Sequence, residues 1–232
     1  MLEGMAHKRK LQTLVIDVGG NHVKVRATGV EEEKKIESGP ALSAARMASS
    51  VKRATRGWKY DRVTIGFPGA VVGGKVALEP PNLGRGWVGF DFRKAFGKPV
   101  MVVNDAAMQA LGSYEGGRML FLGLGTGLGT TLIVDGTVVA MEMAHMPYKK
   151  KTFEDYVGER GLKRMGKKKW ERAVADVVAV LTAGLLPDYV VLGGGNVKKM
   201  KSLPEGARAW DNGNAFAGGV RMWDVKQASA SH

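Results

Sequence analysis

Leu122–Thr130 reads LGLGTGLGT, with glycines at 123, 125, 127 and 129 between two apolar runs. RMLFLGLG (118–125) precedes it and LGTTLIVDGTVVA (128–140) follows, and both have the composition of strands, with Asp135-Gly136 marking a further hairpin turn. Glycine weakens a strand interior, because the unfolded chain gains freedom from it. Its density here marks either a tight turn or a place where something approaches the backbone closely. A dinucleotide fingerprint needs a third glycine three positions after the second, but those positions hold Leu128 and Thr130, and a strand pattern follows where a helix is required. A Walker A loop needs Gly-Lys-Ser/Thr, which occurs nowhere in the chain. What remains is a β-hairpin whose turn offers bare backbone N–H groups, an arrangement that binds anions.

The same form recurs earlier. TLVIDVGG (13–20) and HVKVRATG (22–29) read as a hairpin in which Asn21 supplies the polar donor that Thr126 supplies in the later one. GGGN (193–196), at the end of the apolar DYVVLGGGNV (188–197), makes a third glycine platform. The repeat of strand, glycine turn and strand at 13–28 and 118–134 suggests two related α/β domains. The expected division is a smaller domain over 1–104 and a larger one over 105–212, with a closing helix at about 213–224 packing back on the first. Between these landmarks, 41–56 suits a helix with Leu42, Ala45, Arg46 and Ser49 on one face. RVTIGFPGAV (62–71) is a strand running into a turn, and FDFRKAFG (90–97) is a short helix stopped by Gly97 and Pro99. PVMVVND (99–105) is a buried strand followed by a helix over 106–116. Residues 152–186 are mostly helical, split at Gly166, with Trp170, Val174, Val177, Val178 and Leu181 forming an apolar stripe.

Composition narrows the function classes. Of 232 residues, 44% are hydrophobic and 25% charged, ordinary for a soluble globular protein. No apolar run approaches the roughly 18 to 20 residues that cross a bilayer. The basic MLEGMAHKRK is a poor signal peptide, since Asp17 and two glycines interrupt the apolar stretch after it, so a cytoplasmic protein without a membrane partner is expected. The lack of cysteine excludes disulfides, thiolate zinc sites and cysteine nucleophiles. Lys+Arg number 35 against 22 Asp+Glu, a net charge of +13, which favours polyanionic partners. The excess concentrates at Lys149–Lys151, at Lys163–Lys169, and at Lys198, Lys199 and Lys201.

Taken in order, DVGGN with Lys24, IGFPGAV, PPNLGRGWVGFD, VVNDA, LGLGTGLGT, VDGTVV, EMAH and VVLGGG resemble the sugar kinases of the ROK family, within the actin-like ATPase superfamily. The likeness runs over nearly the whole chain, and PNLGRGW followed by VGFD is especially similar to the polyphosphate glucokinases of that family. It implies two actin-like, ribonuclease H-like domains, each a mixed sheet flanked by helices, with the active site in the cleft between them. It further implies that Asp17, Gly19, Gly20 and Asn21 form one jaw around the donor's phosphates and Gly125, Thr126 and Gly127 the other, with Gly194 and Gly195 beside them and Lys24 within reach. Asp17 would orient Mg²⁺ through water. From the residues alone Asp105 reads as the N-cap of the helix at 106–116; the resemblance makes it the general base for a sugar hydroxyl. Gly69, Asn82, Asn104, Asp105, Glu142 and His145 would meet the sugar, a glucose or similar hexose.

Two departures bear on this. Ala144 stands where the family has glycine in Glu-x-Gly-His, and the cysteine-rich zinc motif of many members is missing, so no structural zinc is expected. The donor is expected to be polyphosphate, with ATP as a second donor; a strictly ATP-dependent glucokinase or other hexose kinase is the alternative. A non-catalytic sugar sensor is the alternative from another class, disfavoured by intact Asp17 and Asp105. Nucleic acid is not an expected partner, because ROK repressors carry a helix-turn-helix and only about ten residues precede the first strand here. A homodimer is expected from the family.

Overall fold

The computed structural model describes residues 10–210 and 214–225. The basic run before Lys10 and the expected domain end at 212 lie outside them. β1 (Thr13–Val18), β2 (His22–Ala27) and β3 (Lys34–Glu37) form an antiparallel meander, followed by α1 (Ala44–Ala54), β4 (Arg62–Phe67), α2 (Phe92–Phe96) and β5 (Val100–Asn104). The first sheet has the order β3-β2-β1-β4-β5, with β4 and β5 parallel to β1. After α3 (Asp105–Gly112) come β6 (Arg118–Leu124), β7 (Leu128–Val134) and β8 (Thr137–Met141), then α4 (Phe153–Val157), α5 (Glu159–Met165) and α6 (Lys167–Leu185). β9 (Tyr189–Gly193), β10 (Ala207–Ala209) and α7 (Asn214–Arg221) complete the chain. The second sheet has the order β8-β7-β6-β9-β10 with the same mixture of directions. It repeats the first strand for strand.

α3 lies between the two sheets and needs glycine on both. A Cβ at Gly66 of β4 would come 2.3 Å from Met108 Cε, and one at Gly129 of β7 would come 2.6 Å from Ala106 Cβ. α7 crosses α3 closer still: a Cβ at Gly218 would sit 1.7 Å from the Met108 carbonyl oxygen. Gly219 faces Val15 of β1 in the same way, at 2.4 Å. The two glycines that weaken NAFAGGVRMW as a helix are what let it lie against α3 and the first sheet. Hydrogen bonds fix it there: Thr64 Oγ1 donates to the Gly219 carbonyl at 2.7 Å, and Trp223 Nε1 donates to Thr64 Oγ1 at 2.8 Å.

Three cores result. Leu14, Ile16, Ile65, Phe67 and Trp87 fill the first, and Leu120, Leu122, Trp170, Val174 and Val177 the second. Val15, Met108, Leu111, Phe121 and Val191 bury the space between the sheets.

Several elements differ from expectation. α1 begins at Ala44, so Leu42 lies before it; Ala45, Arg46 and Ser49 share a face as expected, the solvent-exposed one, while Ala44, Met47, Ala48 and Val51 are buried. Its phase follows the large apolar Met47 and Val51, and Ser43 caps it by accepting from Arg46 N. β4 ends as expected in the Gly-Phe-Pro-Gly turn, at Phe67 before Pro68, which has no N–H to give a neighbouring strand. The stretch 152–186 forms three helices, broken at Gly158 as well as Gly166. A Cβ at Gly158 would press on the carbonyls of Glu154 and Thr126, 2.8 and 3.0 Å away. β3 and β10 go unforeseen: KKIE is mostly charged and ARA is three residues long, so neither carries an apolar pattern. No helix among the described residues is long and apolar enough to cross a membrane.

Candidate active site

Each glycine turn is closed by the N–H of its first glycine, the first turn being one residue longer than the second. Gly19 N–H donates to the His22 carbonyl at 3.0 Å, and Gly125 N–H donates to the Gly127 carbonyl at 3.1 Å. The N–H groups of Gly20, Asn21, Thr126 and Gly127 make no hydrogen bond within the described protein. The glycines of Leu122–Thr130 divide by what they face. An added Cβ at Gly125 meets nothing within 4 Å, whereas Gly127 abuts Glu154 Oε2 at 2.3 Å and Gly123 abuts Phe121 at 3.3 Å. With Gly129 against α3, Gly125 is the one glycine of the four that leaves open space. Gly20 and Gly195 are open in the same sense.

The second turn is anchored by residues that the sequence reading does not single out. The buried Asn196 donates from Nδ2 to the Gly125 carbonyl at 2.8 Å, and its backbone N–H reaches the Leu124 carbonyl at 3.0 Å. Glu159 N–H donates to the carbonyls of Gly125 and Thr126 at 3.0 and 3.2 Å. Lys199 Nζ donates to Asn196 Oδ1 at 2.8 Å, which fixes the amide so that its nitrogen faces Gly125. Gly194, at φ 88°, passes so close to Leu124 that a Cβ would be 2.4 Å from its carbonyl oxygen.

At the head of α3 two adjacent residues divide the work. Asn104 is the cap: its Oδ1 accepts from Ala107 N at 3.1 Å, a contact worth about 1 kcal/mol to the helix. Its Nδ2 donates to the Gly69 carbonyl at 3.1 Å, tying the turn after β4 to α3. Asp105 is therefore free of the capping role, and its Oδ1 accepts from the N–H of Ala106, at 2.8 Å. The carboxyl is half-buried by surface but crowded by protein, and it is pushed up to about 7. Desolvation is the main cause; the charge of Asp17 comes next, the Ala106 N–H works against both, and the charge of Glu142 adds to the rise. Asp105 thus stands near one carboxylate from each half of the molecule.

Asp17 is raised by burial, with Lys24 opposing and Glu33 assisting. Lys24 is its cross-strand partner in the β1–β2 register. Mg²⁺ keeps most of its hydration shell and needs only one or two carboxylates, so Asp17 fits an outer-sphere role. Among the described residues no group of three His, Cys, Asp or Glu is placed to enclose a metal.

Glu142 is positioned by the last residue of the glycine stretch. Thr130 Oγ1 donates to the Met141 carbonyl at 2.8 Å and accepts from Met143 N at 3.2 Å, holding the chain on both sides of Glu142. Burial raises the Glu142 carboxyl, the charge of His145 lowers it, and Glu154 raises it. Ala144 is buried in the second core in a 3₁₀ turn without positive φ, so its Cβ brings no backbone strain at the position where the family has glycine. Glu154, bonded to Arg160 Nη2 at 3.0 Å, thereby joins Glu142 and Gly127 at the site, although nothing in FEDY marks it. Asn82 is exposed in the turn closed by Leu83 N–H on the Pro80 carbonyl, 3.4 Å.

Duplicate sheets of this order, packed through a shared helix, place the chain in the actin-like ATPase fold class. The ROK family model matches residues 13–162, more than half of the chain, and the protein belongs to the ROK family. It is 26% identical over 211 residues to a polyphosphate glucokinase of Mycobacterium tuberculosis, covering 79% of this chain and 77% of that one. Among solved structures, the inorganic polyphosphate/ATP-glucomannokinase of Arthrobacter sp. strain KM superposes with a TM-score of 0.79 at 22% identity, over 92% of this chain and 98% of that one. A ROK family glucokinase from Streptomyces griseus, in complex with glucose and AMPPNP, gives 0.72 at 18% identity, over 91% and 98%.

Proposed function

We propose that the protein is a hexose kinase that transfers the terminal phosphoryl group of inorganic polyphosphate, with ATP as a second donor, to the 6-hydroxyl of glucose. The observation that carries this reading is the Asp105 carboxyl, released from capping by Asn104 and held at a pKa near neutrality between Asp17 and Glu142. In the proposed reaction Asp105 accepts the proton of the 6-hydroxyl as that oxygen attacks phosphorus. The bond from phosphorus to the bridging oxygen breaks, leaving a polyphosphate shorter by one unit, or ADP. The N–H groups of Gly20, Asn21, Thr126 and Gly127, with Lys24, receive the donor's phosphate oxygens. Asp17 would hold Mg²⁺ through water, and the ion would supply charge neutralisation there. Glu142 and His145 bind sugar hydroxyls.

Lysine placement supports polyphosphate as donor. Lys163 is bonded to Glu159 at 2.9 Å, and both Lys163 and Lys199 hold that carboxyl down, so two cations flank the residue whose N–H anchors the second turn. Lys201 N–H donates to Glu171 Oε1 at 2.7 Å, joining the third lysine cluster to the N-terminal part of α6, just after Lys167–Lys169. Two of the three clusters therefore meet beside the turn, while Lys149 is engaged by Asp176 and Tyr148. The test is sugar phosphate formed from glucose, mannose and N-acetylated hexosamines with polyphosphate, ATP and GTP. Glucose with polyphosphate is expected to be the fastest pair; an enzyme active with ATP and inert with polyphosphate of any length sinks the donor assignment.

A general base works only when deprotonated. With the Asp105 carboxyl raised to about 7, kcat/KM is expected to rise with pH through about 7 and level off above it. A profile flat from pH 5.5 to 8.5 argues against Asp105 as the base.

A further inference from the structure

We infer that Glu79 is the positioning residue of the sugar loop, its carboxylate folding residues 80–88 so that Asn82 is presented to the sugar. The inference rests on Asn82 being a sugar ligand. Glu79 Oε1 accepts from Gly86 N at 3.1 Å and from Val88 N at 3.2 Å, and Trp87 N donates to both carboxylate oxygens at 3.2 Å. Three consecutive backbone N–H groups converging on one anion form a nest of the kind that binds free phosphate or carboxylate. Here the chain fills it with its own side chain. Burial works to raise this carboxyl, but the N–H groups of Trp87, Val88 and Gly86, with the Arg85 charge, outweigh it and hold it below the usual range.

The nest sits at the base of a loop without helix or strand. Its far side is pinned by the Leu42 carbonyl, which accepts from Gly84 N at 3.1 Å and from Trp87 Nε1 at 3.2 Å. Gly84 lies so close that a Cβ would be 3.0 to 3.2 Å from Leu42, Pro40 and Ala41. The Trp87 ring packs on Phe67 at 5.3 Å, the last residue of β4, and the turn that follows is tied to Asn104 through Gly69. Glu79 therefore closes a path that runs from the exposed Asn82 turn through Trp87 and Phe67 to the residue before Asp105. The other docking points belong to residues 83, 84 and 87, with Leu83 buried in the first core; the Glu79 carboxylate closes residues 86–88 back onto the start of the loop.

Glu79→Ala leaves three N–H groups to water and loosens the loop without touching Asp105. The KM for glucose is expected to rise about tenfold, the scale of losing charge-assisted hydrogen bonds at an exposed site, with kcat and the donor KM within about twofold of wild type. Glu79→Gln, which keeps one acceptor oxygen, should fall between. Formate or acetate should lower the raised KM of Glu79→Ala and leave wild type unaffected, because a small carboxylate can enter the vacated nest; a purely structural lesion would not respond. Asn82→Ala is measured in parallel. If it raises the glucose KM and Glu79→Ala does not, positioning by Glu79 is refuted while the sugar loop stands. If Asn82→Ala leaves the KM unchanged, the sugar-loop reading itself fails. A fall in kcat as large as the rise in KM in Glu79→Ala, without rescue by formate, also overturns the proposal.

Discussion

Asp105→Asn is expected to lower kcat by about 10²- to 10⁴-fold while changing the glucose dissociation constant by no more than about threefold. Asparagine keeps the oxygen that accepts from Ala106 N–H, so the start of α3 is preserved. It loses the ability to take a proton. The same substitution should stabilise the protein at neutral pH. Asp105 binds its proton more tightly in the folded chain, at about 7, than at the unfolded value of 3.8, so folding stability falls as pH rises across that interval. Removing an ionisable group that burial and the charge of Asp17 already penalise should recover at least about 1 kcal/mol, or roughly 2–4 °C in Tm for a chain of this size. Turnover by stopped assay, sugar binding by calorimetry and Tm at pH 7.5 test the three parts together. Turnover within tenfold of wild type would remove Asp105 from the role of base, and a Tm lowered at pH 7.5 would mean that the carboxylate is paired rather than penalised.

Local pattern carries the frame of this molecule well. The paired hairpins at 13–28 and 118–134 and the strand leading into Asp105 are visible as apolar runs that end in glycine or acid, and the two sheets form around them. What local pattern cannot carry is contact between distant residues. Asn196 reaches Gly125 across 71 positions, and a buried asparagine after three glycines looks no different from any loop residue until that bond is seen. Glu154 is in the same position, an acid in a helix whose importance comes from lying against Gly127 and near Glu142. The glycines of Leu122–Thr130 illustrate both sides. Their number signals close approach, but the approach at Gly129 is by α3, at Gly127 by Glu154, and at Gly125 by open space alone. The phosphate-binding reading of the stretch therefore narrows to its turn, while Thr130 clamps the chain on both sides of Glu142.

Gly218→Ala is expected to be the most damaging single methyl group that can be added to the described structure. The new Cβ would lie 1.7 Å from the Met108 carbonyl oxygen and 2.9 Å from Gly112 N, both backbone atoms of α3. No rotamer change relieves a clash with backbone, so α7 and α3 must separate by more than 1 Å, against Gly219 packed on Val15 and the Thr64 hydrogen bond to the Gly219 carbonyl. Overpacking of this kind costs about 3 kcal/mol or more, a fall of roughly 6–12 °C in Tm. Gly184→Ala is the matched control. It lies exposed in α6 with nothing within 4 Å of the added Cβ, so it should be neutral or stabilising by up to about 1 kcal/mol. The same displacement reaches the chemistry, because α3 carries Asp105 at its first turn and contacts both sheets through Gly66 and Gly129. A shift of about 1 Å in a catalytic group can cost on the order of 10²-fold in rate, so folded Gly218→Ala protein assayed well below its Tm should still be slow. Wild-type kcat in that variant would mean that α7 moves alone and that the position of α3 is set by the sheets; a Tm unchanged from wild type would mean that the α3–α7 crossing is looser than these distances require.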